Sequence, residues 1–169
     1  TRVRSSAASD VYKRQIMNIR QLNNSEYGKA IDLALNVFIE CGSADFDVNG
    51  LQTFKSFIHN DELMNELCIF GAFDNGALIG FIGTKNEGSH ISLFFIHSKF
   101  HRRGIGRQLF DSVYANQPQM QITVNSSSYA VKFYESLGFS KTSEEQETDG
   151  LKYTPMHYCP LRMDGLITG

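Results

Sequence analysis

The run from Phe94 to Leu109 gathers four cations, Lys99, Arg102, Arg103 and Arg107, around Gly104 and Gly106, with no acid among them. It begins apolar, passes through a basic loop and ends in an amphipathic helical pattern. At a helix start the first backbone N–H groups lack an intrahelical partner and the dipole is positive, and glycine lets a phosphate approach the backbone. Anion binding is the chemistry this order predicts. A dinucleotide fingerprint would need a third glycine where Leu109 stands, and a nucleotide P-loop would need Gly-Lys-Ser/Thr. His97 and His101 are four residues apart, but a loop joins them, so no metal is expected.

Elements on both sides must position that loop. Met17 to Leu22 alternates as a short strand. Asn24-Ser25 caps a first helix, with Ala30, Ile31, Ala34, Val37 and Phe38 at helical spacing until Cys41-Gly42. Leu51, Phe54, Phe57 and Ile58 mark a second helix, and a short helical piece begins at Asp61. Cys68 to Phe73 and Ala77 to Thr84 are β-rich runs joined by Asp74-Asn75-Gly76, a strong hairpin signal, and Glu87-Gly88 turns into a third strand, Ile91 to Ile96.

Beyond the basic loop and its helix (Ile105, Leu109, Val113) a strand is predicted over Met120 to Val124. A helix carrying Ala130, Phe133 and Leu137 comes next, capped by Ser127 or Ser128 and ended by Gly138. A strand from Phe139, an acidic loop over Glu144 to Gly150 and a strand from Leu151 to Leu161 complete the chain. This order is mixed α+β, with one crossover that makes the Ile91 and Met120 strands parallel. The Leu151 strand offers an edge through which a homodimer could pair.

At 169 residues the chain has the length of one domain. Ser5 to Gln15 resembles the in-frame translation of an adapter used in sequencing libraries. Residues 1–15 are therefore expected to be a non-native, disordered leader, with 16–169 a single domain and a natural start at Met17. The whole chain has a net charge of −2; without that leader it is −5, twelve cations against seventeen acids. A third of those cations fall between Lys99 and Arg107, a compact basic spot that suits a small anionic ligand better than a nucleic acid. No apolar run approaches a membrane span, and Cys41, Cys68 and Cys159 form no paired motif. A cytoplasmic protein with reduced thiols is expected.

Two motifs carry a resemblance. Ile96-x-x-x-x-His101-Arg102-Arg103-Gly104-Ile105-Gly106-Arg107-x-Leu109 resembles the acyl-CoA-binding signature of the GCN5-related N-acetyltransferase (GNAT) superfamily, with His101 where Arg or Gln is usual. Ala130-x-x-Phe133-Tyr134-Glu135-x-x-Gly138-Phe139 resembles its second motif, with Ser127 where Asn is frequent and Asn125 two residues earlier. The resemblance spans Met17 to about Leu161. It implies the GNAT fold: a mostly antiparallel twisted sheet of about six or seven strands, a parallel pair made by the fourth and fifth, and about four flanking helices.

It also implies chemistry, the direct transfer of an acetyl group from acetyl-CoA to an amine. Backbone groups of Phe94, Phe95 and Ile96 would meet the thioester and pantetheine amide. His101, Arg102, Arg103, Gly104, Ile105, Gly106 and Arg107 would hold the pyrophosphate, and Asn125 or Ser127 the pantetheine arm. Tyr134 is the catalytic candidate, because a phenol is protonated at neutral pH and can return a proton to the departing thiolate. The general base stays open among Glu40, Asp45, His90, Glu145, His157 and a water chain. Acidic residues at Asp45, Asp47 and Glu144 to Asp149 favour a small cationic amine as acceptor, with no nucleic acid or membrane as partner. Two other readings are a CoA-binding regulatory module without turnover, which would release no thiol, and a protein amine acetyltransferase, which would need an open groove.

Overall fold

The computed structural model describes residues 17–117 and 120–160, so the readings made on residues 1–15, Pro118 and Leu161 lie outside the described residues. Eight strands and five α-helices are found there. β1 is Asn18–Gln21, α1 Tyr27–Cys41, α2 Val48–Ile58 and α3 Asp61–Asn65. β2 (Cys68–Asp74), β3 (Ala77–Lys85) and β4 (His90–Ile96) come next, then α4 (Ile105–Tyr114), β5 (Ile122–Ser126), α5 (Val131–Leu137), β6 (Phe139–Lys141), β7 (Gln146–Thr148) and β8 (Leu151–Tyr158). The sheet runs β1-β2-β3-β4-β5-β8-β6, with β7 also paired to β8, and every pairing is antiparallel except β4 with β5.

Turn chemistry sets much of this. Asn75 and Gly76 both take positive φ, 49° and 82°, as a two-residue hairpin turn demands, and Asp74 faces Ala77 across it. Asp149 and Gly150 repeat that geometry at 51° and 80°, which creates the hairpin of β7 with β8 inside the segment expected to be an acidic loop. Asp-Gly is the same signal as Asn-Gly, and it accounts for a strand more than expected. The fifth helix is α3, a single short turn capped by Asn60, whose side chain accepts from the Leu63 N–H at 3.1 Å.

The two sheet faces are covered by different helices. Ile105, Leu109, Phe110 and Tyr114 of α4 and Tyr134 and Leu137 of α5 bury one face with Ile82, Ile91, Val124 and Met156. Ala30, Leu33, Ala34 and Val37 of α1 and Phe54 and Ile58 of α2 bury the other with Ile69, Phe81 and Leu93. Spacing of i, i+3, i+4 and i+7 puts each apolar set on one stripe. One expectation about packing inverts. Tyr134, at 5% exposure, joins Leu137 in the core of α5, while Phe133 is only partly buried.

The edge expected for a homodimer is covered. β8 pairs with β5 on one side and with β6 and β7 on the other, because the chain after α5 folds back onto it twice.

Candidate active site

β4 carries a bulge at Ser92. Thr84 of β3 faces Ile91 and Gly83 faces Leu93, which leaves Ser92 without a cross-strand partner, and its buried hydroxyl has no hydrogen bond. A bulge bends its strand and re-aims the side chains beyond it. β4 meets β5 only at His90 with Thr123 and Ile91 with Val124; past these pairs the strands part, and β5 continues against β8. The gap opens into a cleft of about 850 Å³ that draws walls from both sheet faces: Val37, Phe38, Phe54 and Phe57 on the α1/α2 side, Ile105, Gly106, Phe133 and Tyr134 on the α4/α5 side. The cleft therefore passes through the sheet.

The basic glycine loop forms its α4 rim. After the Ser98–Phe100 turn, Arg102 takes φ +62° and Gly104 φ +79°, so the chain enters α4 through two left-handed residues. The first intrahelical bond runs from the Gln108 N–H to the Gly104 carbonyl at 3.1 Å, which leaves the N–H groups of Ile105, Gly106 and Arg107 ahead of it. No acid stands in the first turn and no side chain caps it. At Gly106 a β-carbon would lie 2.7 Å from the Phe133 ring, so only glycine fits beneath that ring. The residues present fit a pyrophosphate.

Phe94, Phe95, Ile96, His101, Arg102, Gly104, Ile105, Gly106, Asn125, Ser127 and Tyr134, all singled out above, line the cleft. Two cations turn away. The Arg103 guanidinium sits 5.2 Å over the Phe100 ring, and Arg107 donates at 2.6 Å to the Ser136 carbonyl, tying α4 to α5. Arg107 thus offers an anion its backbone N–H rather than its charge. Nε2 of His101 donates to the Ile96 carbonyl at 2.6 Å, which latches the loop onto the end of β4.

Tyr134 is packed edge-on against Phe94 and Phe139, with ring centroids 6.1 and 5.2 Å away. Its hydroxyl makes no hydrogen bond among the described residues, and burial, with smaller effects from Tyr129 and Tyr114, pushes its pKa far above the ordinary phenol value. It stays protonated. Tyr129, in the same cleft, is pushed up to about 12, first by burial and next by Cys41.

Of the five candidate bases, Asp45 and His90 reach the cleft. Asp45 is buried and already engaged: its carboxylate accepts the Ser128 N–H at 3.0 Å, and its carbonyl accepts from the Lys152 N–H at 2.8 Å. His90 is differently placed. Its Nδ1 is 2.8 Å from Thr123 Oγ1, which lies 3.4 Å from the Ser89 carbonyl. With Nδ1–H donating to Thr123, whose hydroxyl can turn to that carbonyl, the Nε2 lone pair is free, the tautomer a base requires. Burial, helped by the charge of Lys85, lowers the His90 pKa, which favours the neutral ring.

The Asp45 and Asp47 rim is used internally. Asp47 caps α2 by accepting the Gly50 N–H at 2.8 Å, and of the Glu144 to Asp149 segment only Thr148 and Asp149 line the cleft. On the α1/α2 side the start of α2 is strapped to the β7–β8 turn. Asp47 N–H donates to the Gly150 carbonyl at 3.4 Å, Thr53 Oγ1 to the Asp149 carbonyl at 2.9 Å, and Phe46 bridges to Leu151. Periodicity and composition give no sign of this strap; Gly50 and Gly150 are its only trace in the sequence.

Residues 43–159, well over half of the chain, match the acetyltransferase (GNAT) domain family. The chain belongs to the GNAT acetyltransferase family. Solved GNAT structures share its fold. A GCN5-related N-acetyltransferase from Rhodopseudomonas palustris superposes with a TM-score of 0.72 at 16% identity, covering 84% of this chain and 94% of that one. PaiA N-acetyltransferase from Thermoplasma acidophilum, solved with coenzyme A, gives 0.69 at 17% identity over 85% and 98%. The ribosomal-protein-S18-alanine N-acetyltransferase from Escherichia coli gives 0.56 at 17% identity over 90% and 99%. No curated protein matches the sequence. The span matched to the GNAT family holds the bulged β4, the glycine loop, β5 and α5, while Val37 and Phe38 precede it. Among the described residues, no helix of this GNAT protein is long and apolar enough to cross a membrane, and no group of three His, Cys, Asp or Glu could hold a metal.

Proposed function

We propose that this GNAT acetyltransferase moves an acetyl group from acetyl-CoA directly to a primary amine of a small acceptor. One observation carries the reading: a cleft that passes through the sheet where β4 leaves β5, with an anion cradle on one face and a strapped chamber on the other. Two reactants can then meet in the gap from opposite sides. The strap between α2 and the β7–β8 turn favours a small acceptor over a protein chain, which would need an unobstructed groove.

Acetyl-CoA is the co-substrate and supplies the acyl thioester. The N–H groups of Ile105, Gly106 and Arg107, with Arg102, hold its pyrophosphate, and the β4 backbone left unpaired by β5 from Phe94 to Ile96 meets the thioester arm, with Asn125 and Ser127 opposite. His90 Nε2 takes one proton from the neutral acceptor amine as that amine attacks. The amine nitrogen bonds to the acyl carbon, the C–S bond breaks, and the Tyr134 hydroxyl gives its proton to the departing sulfur. Solvent restores both groups. A cytoplasmic location belongs to this proposal, and the free state of Cys41, Cys68 and Cys159 suits it.

The test is a panel of primary amines incubated with acetyl-CoA while free thiol is followed. Thiol release that depends on a small amine is expected. A thermal shift with CoA but no thiol release would instead identify a binding module, and release with peptides alone would move the acceptor to protein amines.

A further inference from the structure

The chamber on the α1/α2 side is built of rings. Phe46, Phe38 and Phe54 form a continuous stack, with centroids 4.4 and 4.0 Å apart and planes within 14° and 13°, and Phe95 continues it from Phe54 at 5.9 Å. Phe38, Phe57 and Phe95 are only half-buried, and all three line the cleft. A monomeric fold rarely leaves several large rings facing one cavity unless something apolar fills it.

Several polar groups of the same chamber are already served. Asp45 is held by the Ser128 N–H, Thr53 Oγ1 lies against the Asn49 and Asp149 carbonyls, and the Tyr153 hydroxyl sits 3.2 Å from both Gln146 and Thr148. Lys85 faces His90 across the β3–β4 ladder and disfavours its protonation, and both line the cleft. A chamber walled by rings, with the cation Lys85 paired across from His90, suits neither the repeated charges of a polyamine nor the hydroxyls of an amino sugar.

We propose that the acceptor is a primary amine joined by a short flexible chain to an aromatic ring. The ring lies against Phe38, Phe54 and Phe57 in offset or edge contact, and the chain carries the amine into the gap between β4 and β5. This inference rests on the transferase reading above and narrows the cationic acceptor expected from the sequence to one with a single charge.

The experiment compares 2-phenylethylamine, spermidine and glucosamine as acceptors for the whole chain at fixed acetyl-CoA, with acetyl-CoA binding measured separately by calorimetry. A kcat/KM at least tenfold higher for 2-phenylethylamine is expected. Preference for spermidine or glucosamine would overturn the aromatic acceptor and leave the transferase standing. Binding of acetyl-CoA with no thiol release from any amine would overturn the transferase reading itself. As a second arm, Phe57→Ala should raise KM for 2-phenylethylamine about tenfold with the KM for acetyl-CoA unchanged; an unchanged amine KM overturns the placement of the ring.

Discussion

Gly106 and Phe133 occupy adjoining space with none to spare: a β-carbon on Gly106 would stand 2.7 Å from Cζ of the Phe133 ring. Phe133 in turn meets Phe94 edge-on at 5.4 Å, so one ring joins the helix that starts at the anion cradle to the strand that parts from β5. Gly106→Ala must push that ring out of place. A loss of about 1–3 kcal/mol is expected, typical of overpacking, together with weaker CoA binding. Thermal unfolding with and without CoA measures both, and a variant as stable and as tightly bound as the parent would contradict the account.

Tyr134→Phe separates chemistry from packing. The ring keeps its contacts with Phe94 and Phe139, and no protein hydrogen bond is lost among the described residues, so stability should stay within about 0.5 kcal/mol. Turnover should fall by about 10²–10⁴, the usual reach of a positioned acid. Steady-state kinetics beside a melting curve decides this, and unchanged kcat would remove Tyr134 from the reaction.

His90 predicts the pH profile. Because burial, then Lys85, lowers its pKa, the base form persists on the acid side of the ordinary imidazole range, and kcat/KM should drop only as pH falls through that lowered value. Stability has the same sign. The unfolded chain binds the proton more readily, so the contribution is complete above the unfolded value and is lost as pH falls through the folded one. His90→Gln should abolish the acid limb. Thr123→Val should lower kcat/KM about tenfold by freeing the ring to take the wrong tautomer, since Nδ1 loses its partner at 2.8 Å.

The strap over the acceptor chamber depends on two glycines. A β-carbon on Gly50 would collide with the carbonyl of Gly150, and one on Gly150, at φ +80°, would meet the Asp47 carboxylate and the Gly50 backbone. Gly50→Ala should therefore loosen the α2 start from the β7–β8 turn, cost about 1–3 kcal/mol and raise the acceptor KM more than that of acetyl-CoA. Equal effects on the two KM values would show that the strap does not shape the acceptor side.

Local rules made the frame legible. Asn75-Gly76, the helical spacing from Ala30 to Phe38 and the left-handed cap at Gly138 each act within a few residues, and each stands in the structure as expected. The β5 strand falls two residues later than its apolar run suggests, because pairing with β8 extends through Asn125 and Ser126. Long-range commitment is the part that pattern could not reveal. Asp45 and Asp47 look like a free acidic rim until Ser128, 83 residues away, and the start of α2 claim them. Arg107 looks like a phosphate ligand until the Ser136 carbonyl takes its guanidinium. The free lone pair of His90 likewise depends on Thr123, which only the crossover brings alongside.

The two residue pairs joining β4 to β5 are the entire backbone seam between a front half-sheet, β1 to β4, and a back half-sheet, β5 to β8. A ligand seated in the gap touches both halves and works as mortar. At a hundred times its dissociation constant it would add about 2.7 kcal/mol to the folded state, more than most single side chains contribute. The protein's resistance to heat and to proteolysis should therefore rise with the concentration of its own co-substrate.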